Sequence, residues 1–449
     1  MKKLQLLTLI FALIAFPFPA QAEVTGSSLM AQIKQAKDML APVKLNYALT
    51  PHYKTTVQAR SKTKKQVLQN YTLDIKDLAV AVLDPTSGAI KITAAMQRGS
   101  DFEFPDKNFD IDAVKFNGVN TRFIVNKPAG GKVLALKYLI TPIESGSKAA
   151  IEKALYSGVY VPYSPELVTP EVSAYGAQYL DGVIAQAVTQ IQNIPSVSSP
   201  GKSIPAAIEP GLVRSLLYAE HMDTSEFLNT ADTKQLIAKI NVLLAGNEGE
   251  TWKYSVSSAG AAGISQFIPS TYASLVKRHP EANLIPDFVT GMRNHVNGVK
   301  ATYLLLDDYI KEVETRAGDA FLAAHAFDYG VAAYNGGPVR VARTAIAYGP
   351  LWSQDHSADV GPLQDKVNRQ TAVVNALKAQ IKKTTKKADK TKLQGVLTKE
   401  QATLTTAQGQ LDKTQASVLR NETVNYVMKI DKLVQIFNDH PLPTVVASK

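Results

Sequence analysis

The sequence predicts a multidomain α+β protein: a β-rich N-terminal domain, followed by a mainly α domain that carries an inserted helical hairpin. Three observations predict it. Over residues 66–165, apolar and polar side chains alternate, and turn sequences such as Asp84-Pro85-Thr86-Ser87-Gly88 and Lys127-Pro128-Ala129-Gly130-Gly131 break the runs. Over residues 208–346 the apolar spacing is helical, and Met292, Val296, Val299, Tyr303, Leu306, Ile310 and Val313 mark one face of a long helix. Val367, Val374 and Ile381 recur every seven residues, as do Leu397, Leu404, Leu411 and Val418, with Lys386-Lys387-Ala388-Asp389-Lys390 between the two series.

The first 22 residues read as an export signal. Lys2-Lys3 supply the positive start, Leu6 to Phe16 the apolar run, and Ala20-Gln21-Ala22 a small-residue cleavage site. That run is too short to span a bilayer, and no later segment reads as transmembrane. The chain has no Cys, which excludes disulfides and a lipid-accepting Cys. The reading is a soluble exported protein, periplasmic in a bacterium. The net charge of +10 suits an anionic partner such as peptidoglycan, teichoic acid, lipid headgroups or nucleic acid, without choosing among them. No P-loop, zinc-finger spacing or RNP-like motif is present.

Residues 23–165 form the expected β-rich domain. A short helix is expected over Ser28–Met39, and a polar, basic stretch around Arg60–Lys65. Strands are expected around Leu73 and Ile75, over Leu78–Leu83 and Ile90–Ile92, over Thr121–Val125, and from Leu134 to Ile140. They suit a small sandwich or barrel, serving as a docking module or as a spacer. Residues 166–207 are a helix (Pro170–Ile191) and a linker (Pro195–Pro205). Residues 208–350 are the main helical domain, 360–418 the antiparallel hairpin, and 419–449 a final helical segment and tail. The lysine-rich hairpin tip is either a contact for an anionic polymer or membrane, or a solvated loop.

One carboxylate stands out. In Leu212-Val213-Arg214-Ser215-Leu216-Leu217-Tyr218-Ala219-Glu220, the helical period stacks Glu220 above Leu216, Leu217 and Val213. Desolvation on an apolar stripe favours the neutral acid and raises its pKa, which suits a general acid near neutral pH. Three further segments follow. Ser257-Ser258-Ala259-Gly260-Ala261-Ala262-Gly263-Ile264-Ser265-Gln266 sets small residues, which admit a ligand close to the backbone, ahead of an amide that suits a sugar hydroxyl or acetamido group. Ala333-Tyr334-Asn335-Gly336-Gly337-Pro338 pairs an aromatic with a carboxamide at a helix end, a combination suited to sugar rings. The last is Glu422-Thr423-Val424-Asn425-Tyr426-Val427.

In this order the four segments resemble the soluble lytic transglycosylase domain, a lysozyme-like family that cuts peptidoglycan. The resemblance covers roughly residues 208–346 and 419–430. Met222–Val256, with Gly263-Ile264-Ser265-Gln266-Phe267-Ile268-Pro269-Ser270, is also similar to the membrane-bound-B type. The resemblance implies that Glu220 is the acid/base and that Gln266 and Asn335 hold the glycan. It sets Tyr426 near Glu220, lines the groove with Ser258, Gly260 and Gly263, and includes Tyr334 among the binding residues. His221 stands where the family has Ser, and Ser265 where it has Met. His221 is expected either to take over the serine's hydrogen bond or to face solvent.

The implied reaction needs one carboxylate, no metal and no cofactor. Glu220 protonates the oxygen joining N-acetylmuramic acid to N-acetylglucosamine, then accepts the proton of the muramic acid 6-hydroxyl as it closes to a 1,6-anhydro end. Two alternatives remain at this point. A goose-type lysozyme would hydrolyse the same bond with a second acid, for which Asp223, Glu226, Asp232, Glu248 and Glu250 are candidates. A non-catalytic module would grip glycan strands while the N-terminal domain or the hairpin recruits an envelope protein complex. Nucleic acid is a weaker third partner.

Overall fold

The computed structural model describes residues 28–57, 64–141 and 145–439. The expected export signal and the extreme C-terminal tail lie outside them, as does most of the basic stretch near Arg60. The chain divides into two compact units. The first runs to Ala174 and takes in Ala245–Asn247; the second comprises Tyr175–Leu244 and the chain from Glu248 onward.

In the first unit, α1 (Leu29–Leu40) begins where Ser28 accepts a hydrogen bond from the Ala31 amide. The strands are β1 (Tyr47–Val57), β2 (Lys64–Leu83), β3 (Ile90–Arg98), β4 (Asp101–Glu103), β5 (Asp110–Lys115), β6 (Arg122–Lys127), β7 (Lys132–Ile140), β8 (Ser145–Gly146) and β9 (Tyr156–Tyr160), with α2 (Lys148–Ala154) before the last. Seven of them form one antiparallel sheet around β2. Its C-terminal half lies between β3 and β7, and its N-terminal half pairs with β1 and β8. The sheet is neither a closed barrel nor one of two matched layers. The β5–β6 ribbon covers one face, where Phe109, Ile111, Phe123 and Val125 meet Val80, Leu136 and Tyr138. Helix α1 packs on the other face, and Lys137, pointing that way between Leu136 and Tyr138, donates to the Ala41 carbonyl at 2.5 Å.

The second unit is helical: α3 (Pro170–Ile191, entering from the first unit), α4 (Ile204–Ala207), α5 (Pro210–His221), α6 (Thr224–Asn229), α7 (Thr233–Asn247, whose end from Ala245 counts with the first unit), α8 (Pro269–Arg278), α9 (Phe288–Arg293), α10 (His295–Ala317), α11 (Ala326–Gly336), α12 (Pro338–Tyr348), α13 (Val360–Lys383), α14 (Lys387–Ser417) and α15 (Asn421–Asp439). Helix α10 forms the centre, with α11 and α12 packed along it. Val299, Tyr303, Leu306 and Val313, expected on its apolar face, are fully buried. The expected helix from Phe321 starts later, because 3₁₀ turns at 318–320 and 323–325 precede α11.

Residues 195–203 are not a free linker. Pro195 and Ser203 form a β-bridge, and the loop is clamped to the fully buried Asp307 of α10. Its carboxylate accepts the Ser196 hydroxyl at 2.6 Å, the Val197 amide at 2.7 Å and the Ser198 hydroxyl at 2.5 Å.

Helices α13 and α14 form the antiparallel hairpin. Gln370 reaches the Glu400 carbonyl at 3.2 Å and Lys366 reaches Gln410 at 3.4 Å. Val367, Val374, Leu397 and Leu411 are buried along its seam. At its base, Arg340 of α12 donates to the carbonyls of Gln415 and Val418 at 2.7 and 2.8 Å.

Candidate active site

Glu220 is the penultimate residue of α5 and is half-buried above Val213, Leu216 and Leu217, all fully buried. Tyr426 of α15 donates its phenolic hydrogen to Glu220 Oε1 at 2.5 Å. Burial pushes the Glu220 carboxyl up to about 7, against the downward pull of that hydrogen bond and of the Lys429 ammonium; Glu422 adds a small upward push. The acid is thus half protonated near neutrality. Burial first, and the charge of Glu220 next, hold the phenols of Tyr426 and Tyr334 well above their ordinary range, so both remain protonated donors.

The glycine-rich segment between Val256 and Phe267 is a tight loop closed by β-bridges from Ala262 to Val256 and to Phe267. Gly263, at φ 74°, lies so close to α9 that a Cβ there would stand 2.3 Å from the Met292 carbonyl oxygen, so only glycine fits. Gln266 also adopts a left-handed backbone, φ 47°, which is strained for a residue with a Cβ. Its side-chain amide donates to the Gly263 carbonyl at 2.8 Å and braces the turn.

Two side chains fasten this turn to the rest of the site. Tyr334 donates to the Ser265 carbonyl at 2.6 Å. His221, next to Glu220, donates from Nε2 to the Ile264 carbonyl at 2.9 Å and stacks on Trp252, with ring centroids 3.5 Å apart and planes 2° from parallel. Of the two expectations for His221, solvent exposure does not hold: the ring is half-buried. Burial pushes its pKa down to about 3, so the imidazole is neutral. Ser265 is fully buried and accepts the Thr302 hydroxyl at 2.9 Å, a polar contact where the resembled family has Met.

Asn335 Oδ1 accepts the Thr423 hydroxyl at 2.8 Å, which joins the third and fourth motifs across the inserted hairpin. Gly336 also faces Thr423, and a Cβ there would stand 2.8 Å from its hydroxyl oxygen. The structure therefore joins Glu220 to Tyr426, and ties Tyr334, Gly263, Gln266 and Asn335 to their surroundings. Ser258 and Gly260 lie further out on the loop. Ser258 is exposed, and its neighbour Ser257 makes the shaping bonds: its hydroxyl accepts the Ala261 amide and its carbonyl the Gly260 amide.

The five acids of the Met222–Val256 stretch are engaged elsewhere. Asp223 and Asp232 cap α6 and α7. Glu226 pairs with Lys239 and Glu250 with Lys253. Glu248 accepts the Tyr175 hydroxyl at 3.0 Å. Among the described residues, no group of His, Cys, Asp or Glu is placed to hold a metal, and no helix is long and apolar enough to cross a membrane.

Sequence reasoning missed Lys429. This buried ammonium donates to the carbonyls of Ala219 and Met222 at 3.0 and 2.9 Å, and to the Thr224 hydroxyl at 3.3 Å. It thereby caps the helix end that presents Glu220. The available signal was its position: three residues after Tyr426, and inside the apolar stripe Val427, Ile430, Leu433. Trp252, the platform under His221, carried no local signal.

Residues 227–349 match the family model described as the transglycosylase SLT domain. This portion is similar to that domain, a likeness consistent with the soluble lytic transglycosylase, lysozyme-like family, and it supports a lytic transglycosylase or lysozyme-like activity on peptidoglycan. The match covers roughly a quarter of the chain. It begins after Glu220 and ends before Tyr426, so the case for those two residues rests on geometry. No curated protein and no solved structure matches the chain.

Proposed function

We propose that the protein is an exported peptidoglycan lytic transglycosylase with Glu220 as its single acid/base. The observation that carries this is the Tyr426–Glu220 hydrogen bond on a carboxyl poised near neutrality. The phenol occupies Oε1, which leaves Oε2 to hold the transferable proton. Protonated Glu220 gives that proton to the oxygen bridging N-acetylmuramic acid and N-acetylglucosamine, and the C–O bond to the departing N-acetylglucosamine breaks. The resulting carboxylate is stabilised by the phenol and by the nearby Lys429 charge. It then takes the proton of the muramic acid 6-hydroxyl, whose oxygen closes on the anomeric carbon. No water is consumed, and Glu220 ends as it began.

The single-acid route is favoured over hydrolysis because each of the five candidate second acids already serves as a cap, ion-pair partner or hydrogen-bond acceptor. The test is release of soluble fragments from purified sacculi, with mass spectrometry of the products. Anhydro ends are expected from the parent, and release at least a hundredfold slower from Glu220→Gln. Reducing ends would identify a hydrolase. Equal release by the variant would remove Glu220 from the reaction.

A further inference from the structure

The distal part of the helical hairpin has a charge distribution that the proposed catalytic chemistry does not use. From Lys366 to Lys399 the chain carries ten Lys and Arg residues and one carboxylate, Asp389. Six of the lysines, at 382, 383, 386, 387, 390 and 392, converge where α13 ends and α14 begins, and all six are exposed. Among the described residues, none of the six forms an ion pair. Elsewhere in the second unit, the exposed Lys311 pairs with Glu314 and the half-buried Lys253 with Glu250.

Helix stability accounts for only part of this tip: Lys382 and Lys383 lie in the last turn of α13, where the dipole favours cations. Lys386 and Lys387 stand at the N-terminal end of α14, where the helix dipole disfavours cations. Six neighbouring ammonium groups also repel one another. An anionic counter-surface would relieve both penalties.

The composition narrows the kind of surface. Residues 360–418 contain no aromatic side chain, so the hairpin has nothing on which nucleic-acid bases stack. Every cation at the tip is Lys, a point charge, whereas the guanidinium fork of Arg suits discrete, bidentate phosphate recognition. Thr384, Thr385 and Ala388 offer nothing large enough to insert into hydrocarbon. The tip is also the end of a rod. The 31 residues of α14 extend about 46 Å at 1.5 Å per residue, and its packing outside the hairpin is at the base, against α12. An end-on cluster of diffuse charge matches a broad anionic plane.

We propose that the hairpin tip is an electrostatic docking surface for a bilayer rich in anionic phospholipid, holding the domain that carries Glu220 at a stand-off set by the rod. The contact lies at the headgroups, is reversible and weakens with salt. It is independent of the reaction proposed above.

The test is co-sedimentation of the full chain with vesicles of phosphatidylglycerol and phosphatidylcholine, compared with phosphatidylcholine alone. The second arm reports any binding through the apolar N-terminal run. A variant with all six tip lysines replaced by Ser is run in parallel, with its melting curve as the control for folding. The expected result is a preference for the anionic vesicles that falls by roughly a hundredfold in the variant and is abolished in high salt, with sacculus release unchanged. Equal binding to both vesicle types, or equal binding by parent and variant, would overturn the proposal. So would displacement from vesicles by a small excess of DNA or of isolated glycan strands.

Discussion

Tyr426 and Glu220 lie 206 residues apart in the chain and are joined by a 2.5 Å hydrogen bond. The hairpin between them leaves that contact intact because it enters and leaves at one place. Arg340 holds the end of α14 to α12, and α15 starts immediately beyond and packs along α5 and α11. Insertion at a point where the two chain ends lie close together preserves the host fold.

This bond has a kinetic consequence. Glu220 must be protonated to begin the reaction, so kcat/KM on sacculi is expected to fall as pH rises through about 7. The Tyr426 hydrogen bond lowers the Glu220 pKa, so Tyr426→Phe should move that limb to higher pH. The variant should also lose about tenfold to a hundredfold in maximal rate, through the lost stabilisation of the carboxylate. A turbidity assay across pH 5 to 9 checks both. An unmoved limb would separate Tyr426 from the ionisation that the assay follows.

Lys429 should act on the same limb through position and charge. Lys429→Met removes three donors from the end of α5 and a cation that lowers the Glu220 pKa. Urea unfolding is expected to show a loss of about 3 kcal/mol, with the pH limb again moved upward. A lysine serving only stability would lower the unfolding midpoint and leave the pH profile in place.

Asp307 should matter to the fold without touching the chemistry. Asp307→Ala leaves the Ser196 and Ser198 hydroxyls and the Val197 amide without their acceptor, at an expected cost of about 3 kcal/mol. Limited proteolysis should then cut within 195–203 in the variant and spare the parent. Uncut variant protein would show that the loop is held by other means.

The sequence revealed what is periodic or positional. Helix Pro170–Ile191 follows from its proline start and repeating apolar face, and the hairpin from its seven-residue repeats. Glu220 stood out because a carboxylate on an apolar stripe requires explanation. The rest depended on contacts between distant segments. A lysine inside an apolar stripe does not reveal whether it reaches the surface or, like Lys429, turns inward to a helix end. Trp252 and His221 meet only through the fold, as do Asp307 and the loop it clamps. In the first unit, apolar alternation located several strands but not their order, nor the long β1–β2 pairing, where His52, Lys54 and Asn70 disguise the pattern.

The neighbours Glu220 and His221 are displaced in opposite directions, and their effects on stability should cancel over a definite window. The Glu220 carboxyl rises from 4.5 to about 7, and the His221 imidazole falls from 6.5 to about 3. Between pH 4.5 and 6.5 the folded chain keeps a proton on Glu220 that the unfolded chain has lost. Stability therefore falls with rising pH by about 1.4 kcal/mol per unit from that group. Over the same range the unfolded chain binds a proton at His221 that the folded chain excludes, so stability rises with pH by a similar amount. Relative to the parent, Glu220→Gln is expected to become more stable as pH rises through this window. His221→Phe keeps a ring on Trp252 without the titrating group, and should become less stable relative to the parent over the same range. All other ionisable groups are common to the three proteins, so the differences isolate the pair. Urea unfolding midpoints at half-unit steps of pH measure both slopes. Two variants that both track the parent would mean that neither proton is held as the burial of these side chains requires.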